Sequence, residues 1–97
     1  MNVTLHVATG EGAGQDIPIS GARFVIGRAL DCDLRANCPW VSRYHCELIM
    51  SENCIVVRNT DDRHDTFVNG ERLDGKRKLK SGDRLGVGQN LFDVRFS

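Results

Sequence analysis

An all-β sandwich is the fold class this sequence predicts, and three observations predict it. No stretch of eleven or more residues holds apolar positions at helical spacing. Short runs of alternating apolar and polar residues recur instead, punctuated at close intervals by Gly, Asn, Asp and Ser. Many short strands separated by turns bury their apolar faces by packing one sheet on another. At 97 residues the chain fits a single domain, residues 1–97, with one core and no internal repeat.

The elements follow in order. Val3, Leu5 and Val7 alternate with Thr4 and His6, the pattern of a half-buried strand. Glu11-Gly12-Ala13-Gly14 reads as a flexible loop, and a brief strand follows around Asp16 to Ile19. Ser20-Gly21 turns the chain into Arg23-Phe24-Val25-Ile26, a strand that ends at Gly27. From Arg28 to Arg43 the pattern lapses: Asp31, Asp33, Asn37 and Pro39 mark a long loop with a scrap of strand near Leu34. Loops of that length in a small domain usually carry function.

Tyr44, Cys46, Leu48 and Met50 then alternate with His45, Glu47 and Ile49, a phase that predicts Tyr44 toward the core and His45 away from it. Ser51-Glu52-Asn53 turns the chain, and Cys54 to Val57 returns as the antiparallel partner. After a polar loop from Asn59 to Asp65, Thr66-Phe67-Val68 leads into Asn69-Gly70, the strongest hairpin signal in the chain. Ser81-Gly82-Asp83 and Gly88-Gln89-Asn90 are further turns around Leu85 and Val87, and Phe92, Val94 and Phe96 close the chain as a strand with one apolar face.

Composition narrows the function. Thirteen basic and thirteen acidic side chains give a net charge of zero, which argues against broad electrostatic capture of nucleic acid or an anionic membrane. The longest apolar run is too short for a membrane helix. The first ten residues lack a basic start followed by an apolar stretch, so no secretory signal and a cytoplasmic location are expected. Cys32, Cys38, Cys46 and Cys54 contain no Cys-x-x-Cys pair, and His6, His45 and His64 have no metal-ligand spacing, so neither a metal site nor a redox pair is expected. Cys46 and Cys54 read as small core residues. Arg72, Lys76, Arg77, Lys78 and Lys80 read as a solvated hairpin edge, where lysines discourage edge-to-edge pairing.

Two segments at strand ends carry candidate chemistry: Gly27-Arg28 and Ser42-Arg43-Tyr44-His45. They fit a phosphate. Arg28 can offer a bidentate charge-assisted fork to two oxygens, Ser42 a hydroxyl to a third, and Arg43 further charge. Gly27 would let the backbone bend at the strand end. Both segments are also ordinary turn sequences, which is the competing reading. A Ser42, His45 and Asp31 or Asp33 triad lacks the Gly-x-Ser-x-Gly elbow, so no catalytic residue and no enzyme activity are expected. His45 more simply bonds the backbone of the preceding turn and holds Ser42 in place. Trp40 either anchors the long loop, the favoured reading, or stays exposed as a partner contact.

Phe24-Val25-Ile26-Gly27-Arg28, Cys32-Asp33-Leu34, Val41-Ser42-Arg43-Tyr44-His45-Cys46, Thr66-Phe67-Val68-Asn69-Gly70 and Ser81-Gly82-Asp83-Arg84-Leu85 followed by Gly88 occur in that order. Together they closely resemble the forkhead-associated (FHA) domain family. The resemblance implies a SMAD/FHA-like sandwich of about eleven short strands whose loops, at one end, bind phosphothreonine in a partner protein. It implies Arg28 and Ser42 as principal phosphate contacts, Arg43 as an assisting one, and Gly27, His45, Asn69 and Gly70 as structural support.

One loop departs from the family pattern. Where members usually carry Asn-Gly-Thr, this chain reads Arg63-His64-Asp65-Thr66. His64 takes the Asn place as the expected peptide-backbone contact, Arg63 is placed to reinforce phosphate binding, and Asp65 would repel phosphate if it pointed inward. The expected function is a phosphothreonine-dependent interaction module without cofactor, acting downstream of a Ser/Thr kinase. A phosphorylation-independent interaction domain on the same fold is the alternative. The chain is expected to be monomeric and either complete or cut from a larger protein.

Overall fold

The structure, a computed structural model, describes residues 2–10, 12–61 and 63–97. Eleven strands form two sheets. In chain order they are β1 (Val3–Val7), β2 (Asp16–Ile19), β3 (Arg23–Gly27), β4 (Leu34–Arg35), β5 (Cys46–Met50), β6 (Ile55–Asn59), β7 (Thr66–Val68), β8 (Glu71–Arg72), β9 (Lys76–Leu79), β10 (Arg84–Val87) and β11 (Asn90–Phe96). One sheet has the order β2-β1-β11-β10-β7-β8 and the other β4-β3-β5-β6-β9. All pairings are antiparallel except β3 with β4, where Gly27 lies opposite Arg35. Glu11, the first residue of the expected loop after β1, lies outside the described residues.

Period-two alternation builds the core. Val3, Leu5 and Val7 of β1, Leu85 and Val87 of β10, and Phe92 and Val94 of β11 belong to one buried cluster with Phe24, Ile26, Cys46, Leu48, Ile55, Val57 and Leu79 of the other sheet. Removing these faces from water is the main favourable term, at roughly 25 cal/mol per Å² of apolar surface. The Asn69-Gly70 turn between β7 and β8 has φ of 54° and 81°, the paired positive values of a type I′ hairpin. The basic run falls on exposed edges, Arg72 on β8 and Lys76, Arg77 and Lys78 on β9.

Two expectations are corrected. β5 begins at Cys46 rather than Tyr44, because Arg43 and Tyr44 form a turn and the strand phase does not extend through it. Tyr44 is therefore exposed and His45 fully buried, the reverse of the predicted alternation. Cys54 precedes β6 and is only half-buried, while Cys46 is a core residue as expected; all four cysteines are free.

Candidate functional site

Three loops converge at one end of the sandwich: those after β3, before β5 and between β6 and β7. Their contact begins with backbone. Arg28 N–H donates to the Ser42 carbonyl at 3.0 Å and Ala29 N–H to the Arg43 carbonyl at 3.0 Å. Gly27 is required here for close approach rather than for a bend. A Cβ at that position would collide with the Arg43 carbonyl oxygen and stand 2.8 Å from its carbon.

His45 is the strut beneath these loops. Its Nδ1 accepts the Ser42 N–H at 3.2 Å, and its Nε2 lies 2.9 Å from the Asp65 carbonyl, which can only accept. The ring is thereby fixed as the neutral Nε2–H tautomer. Burial is the largest influence on its pKa and pushes it below the usual 6.5, against the pull of the Asp65 carbonyl. The holding role expected of His45 is thus carried out from inside the fold.

Asn59, which the sequence reading passed over, ties down the third loop. Its Nδ2 donates to the carbonyls of Asp61 at 3.0 Å and His64 at 3.2 Å, and its Oδ1 accepts from the buried Thr66 hydroxyl at 2.7 Å. A strand-end Asn before a polar loop was the available signal. The anchoring presents His64, whose Nδ1 lies 2.7 Å from the Ser42 Oγ, and the His45 and His64 rings stack with centroids 6.1 Å apart. Ser42 itself is only 4% exposed.

The remaining candidates are distributed as follows. Arg28 and Arg43 are exposed and line a cleft of about 420 Å³ together with Arg35. Arg63 instead turns onto Asp61: its Nη2 lies 3.1 Å from Oδ2, and its backbone N–H donates to Oδ1 at 2.9 Å. Its guanidinium, 81% exposed, engages this carboxylate and not Ser42. The Arg63 bonds hold the Asp61 carboxyl well below the usual carboxylate range, and the Ser42 hydroxyl contributes to the same effect. Asp65 is exposed, with its carbonyl rather than its carboxylate at the site. Asn69 and Gly70 sit at the far end of β7, where the Asn69 carboxamide bonds Asp83 and the Arg84 N–H. They fix the hairpin against β10 and lie away from the three loops. Trp40, 58% exposed, does not anchor the long loop; the fully buried Val41 does.

Residues 24–88 match the FHA domain family. The chain belongs to that family. The mouse (Mus musculus) proliferation marker protein Ki-67 is 31% identical over 95% of this chain, and zebrafish (Danio rerio) nibrin is 30% identical over 92%. This FHA chain spans 3% and 11% of the lengths of those two relatives. A solved structure from a study of phosphothreonine-dependent FHA domain interactions superimposes with a TM-score of 0.89 and 25% identity, covering 100% of this chain and 98% of that one. FHA domains are interaction modules without catalytic activity. Ser42 and His64 do form a serine–histidine contact, but among the described residues the His64 ring bonds no carboxylate that would orient it as a base.

Proposed function

We propose that this FHA domain binds a phosphothreonine-containing segment of a partner protein through the loop end that carries Ser42. The observation that carries the reading is a backbone-fixed Ser42, which meets the Arg28 N–H at the loop end that also bears the exposed Arg28 and Arg43. Ser42 is fixed through its N–H by His45 and through its carbonyl by Arg28, so its Oγ needs little reordering to meet an anion. Arg28 and Arg43 supply charge-assisted donors matched to phosphate oxygens. His64, beside the Ser42 hydroxyl, is the residue we assign to the peptide backbone. The phosphothreonine dependence studied in the similar solved structure supports the same reading.

On this proposal the domain acts after a Ser/Thr kinase has modified its partner, works as a monomeric unit in the cytoplasm, and needs no cofactor. The exposed Trp40 favours a second reading, a phosphorylation-independent contact made by the same loops. Titration with a phosphothreonine peptide library, read by amide shift mapping, separates the two. Shifts centred on Arg28, Ser42 and His64 that vanish with the unphosphorylated peptides are expected. Equal binding of both peptide sets would leave only the Trp40 reading.

A further inference from the structure

Strand β9 ends one side of the second sheet. It pairs with β6 alone, and among the described residues no other backbone hydrogen bond reaches residues 76–79. A free edge offers a row of N–H and C=O groups that a further strand can pair. This edge is also charged: Lys76, Arg77 and Lys78 are consecutive and exposed, and Lys80 follows.

The register fixes where the cations stand. Lys78 lies opposite Val56 and Lys76 opposite Arg58, on the outer face that also carries Ile49 and Glu47 of β5. Side chains two residues apart on a strand share a face, about 7 Å from each other. The acids nearby are already engaged. Glu47 is covered by Arg23 and Arg58, Glu71 reaches Arg77 at 3.5 Å, and Asp83 accepts from Asn69 Nδ2 and the Lys80 N–H. Among the described residues, neither Lys76 nor Lys78 has a carboxylate within 4.0 Å.

This pattern selects among occupants. A second copy of β9 would set cations against cations, and like charges directly opposite destabilise a strand pair. A neutral strand would partly desolvate two ammonium groups and give them no partner. A strand with carboxylates at alternate positions does neither, because each cross-strand pair of opposite charge is favourable. Nucleic acid fits less well, since Arg23 and Arg58 on the same face are engaged by Glu47 and the chain carries no net charge.

We propose that the free edge of β9 takes an extended acidic segment of a partner protein as an added strand, with alternate carboxylates opposite Lys76 and Lys78. The site needs no phosphate and does not rest on the phosphothreonine reading.

The test is amide shift mapping of the whole chain, titrated with three short unphosphorylated peptides. Their centres read Thr-Glu-Val-Glu-Thr, its isomer Thr-Glu-Glu-Val-Thr, and Thr-Lys-Val-Lys-Thr. The alternating acidic peptide should shift the β9 amides, leave those of Arg28, Ser42 and His64 unmoved, and bind about fivefold more tightly than its isomer. Lys76→Glu combined with Lys78→Glu, both on exposed side chains, should abolish that binding and transfer the preference to the lysine peptide. Lys78→Gln, a milder exchange, should weaken the acidic peptide about threefold. The proposal is overturned if no β9 amide moves, if the isomer binds equally well, or if the shifts centre on Arg28, Ser42 and His64. Shifts on β9 with an oligothymidylate but not with the acidic peptide would overturn it in favour of nucleic acid.

Discussion

The Ser42 hydroxyl oxygen lies 2.7 Å from Nδ1 of His64, a residue 22 positions further along the chain. Two loops distant in sequence therefore share one hydrogen bond, and the Ser42 hydroxyl helps to hold the Asp61 carboxyl below the usual carboxylate range. Any phosphate that reaches Ser42 enters a network that is already closed. On the proposed reading, the loop between β6 and β7 bears on affinity as directly as the arginines do.

Asp61 is the resident anion of that network, kept ionised by Arg63. Asp61→Asn retains an acceptor for the Arg63 N–H but removes a charge that repels phosphate. Affinity for a phosphothreonine peptide should rise by about three- to tenfold, as measured by calorimetry. An unchanged or weaker Kd would mean that the carboxylate shapes the loop rather than opposing the ligand.

His45 gives the fold a pH dependence with a definite sign. Its folded pKa is depressed below 6.5, so the unfolded chain binds the proton more readily. The stabilisation is complete above about pH 6.5 and is lost as pH falls through the folded value. Thermal melts should show Tm declining from pH 7 toward pH 5. His45→Ala should flatten this slope and cost about 3 kcal/mol, because the Ser42 N–H and the Asp65 carbonyl lose their partner.

Gly27→Ala tests the approach of two backbones. The added methyl meets the Arg43 main chain rather than a yielding side chain, so a loop has to move. Overpacking of this kind costs about 1–3 kcal/mol, which denaturant unfolding would register as a lower midpoint at constant m. Phosphopeptide affinity should fall as well, since the same contact sets the spacing of Arg28 and Ser42.

The outer face of the second sheet holds a further dependence. Glu47, 3% exposed on its side chain, is covered by Arg23 and Arg58 from the flanking strands. Burial raises its pKa, and the two guanidinium groups more than reverse this, for a net lowering below 4.5. Its contribution is present above pH 4.5 and disappears as pH falls through the folded value. Replacing both Arg23 and Arg58 by Ala strands the carboxylate and should cost about 2 kcal/mol, discounted because both arginines are half-exposed. Glu47→Gln should cost less than that double variant.

The features legible in the sequence were those set by local rules. Alternation located β1, β5 and β11, and Asn69-Gly70 located the hairpin, because period and turn chemistry are properties of a few adjacent residues. The placement of Arg28 and Ser42 at one loop end, and the hold of His45 on Ser42, were legible from the strand-end segments that carry them. The inversion of Tyr44 and His45 was not, since a turn just before Cys46 resets a phase that runs unbroken in the sequence. Nor was the pairing of Arg63 with Asp61, or the Asn59 staple. Both depend on how a polar loop folds back on itself, and polarity alone leaves that choice open. Glu47 looked solvent-facing; it is buried by long side chains from neighbouring strands, a cross-strand effect that no single strand records.

Calorimetric titration of a phosphothreonine peptide into the unaltered chain and into Arg28→Ala bears most directly on the central claim. The unaltered chain should bind the phosphorylated peptide and not its unphosphorylated form, and Arg28→Ala should lose about 2–5 kcal/mol of that affinity while keeping the parent's thermal transition. Binding that persists undiminished in folded Arg28→Ala, or that ignores the phosphate, would contradict it.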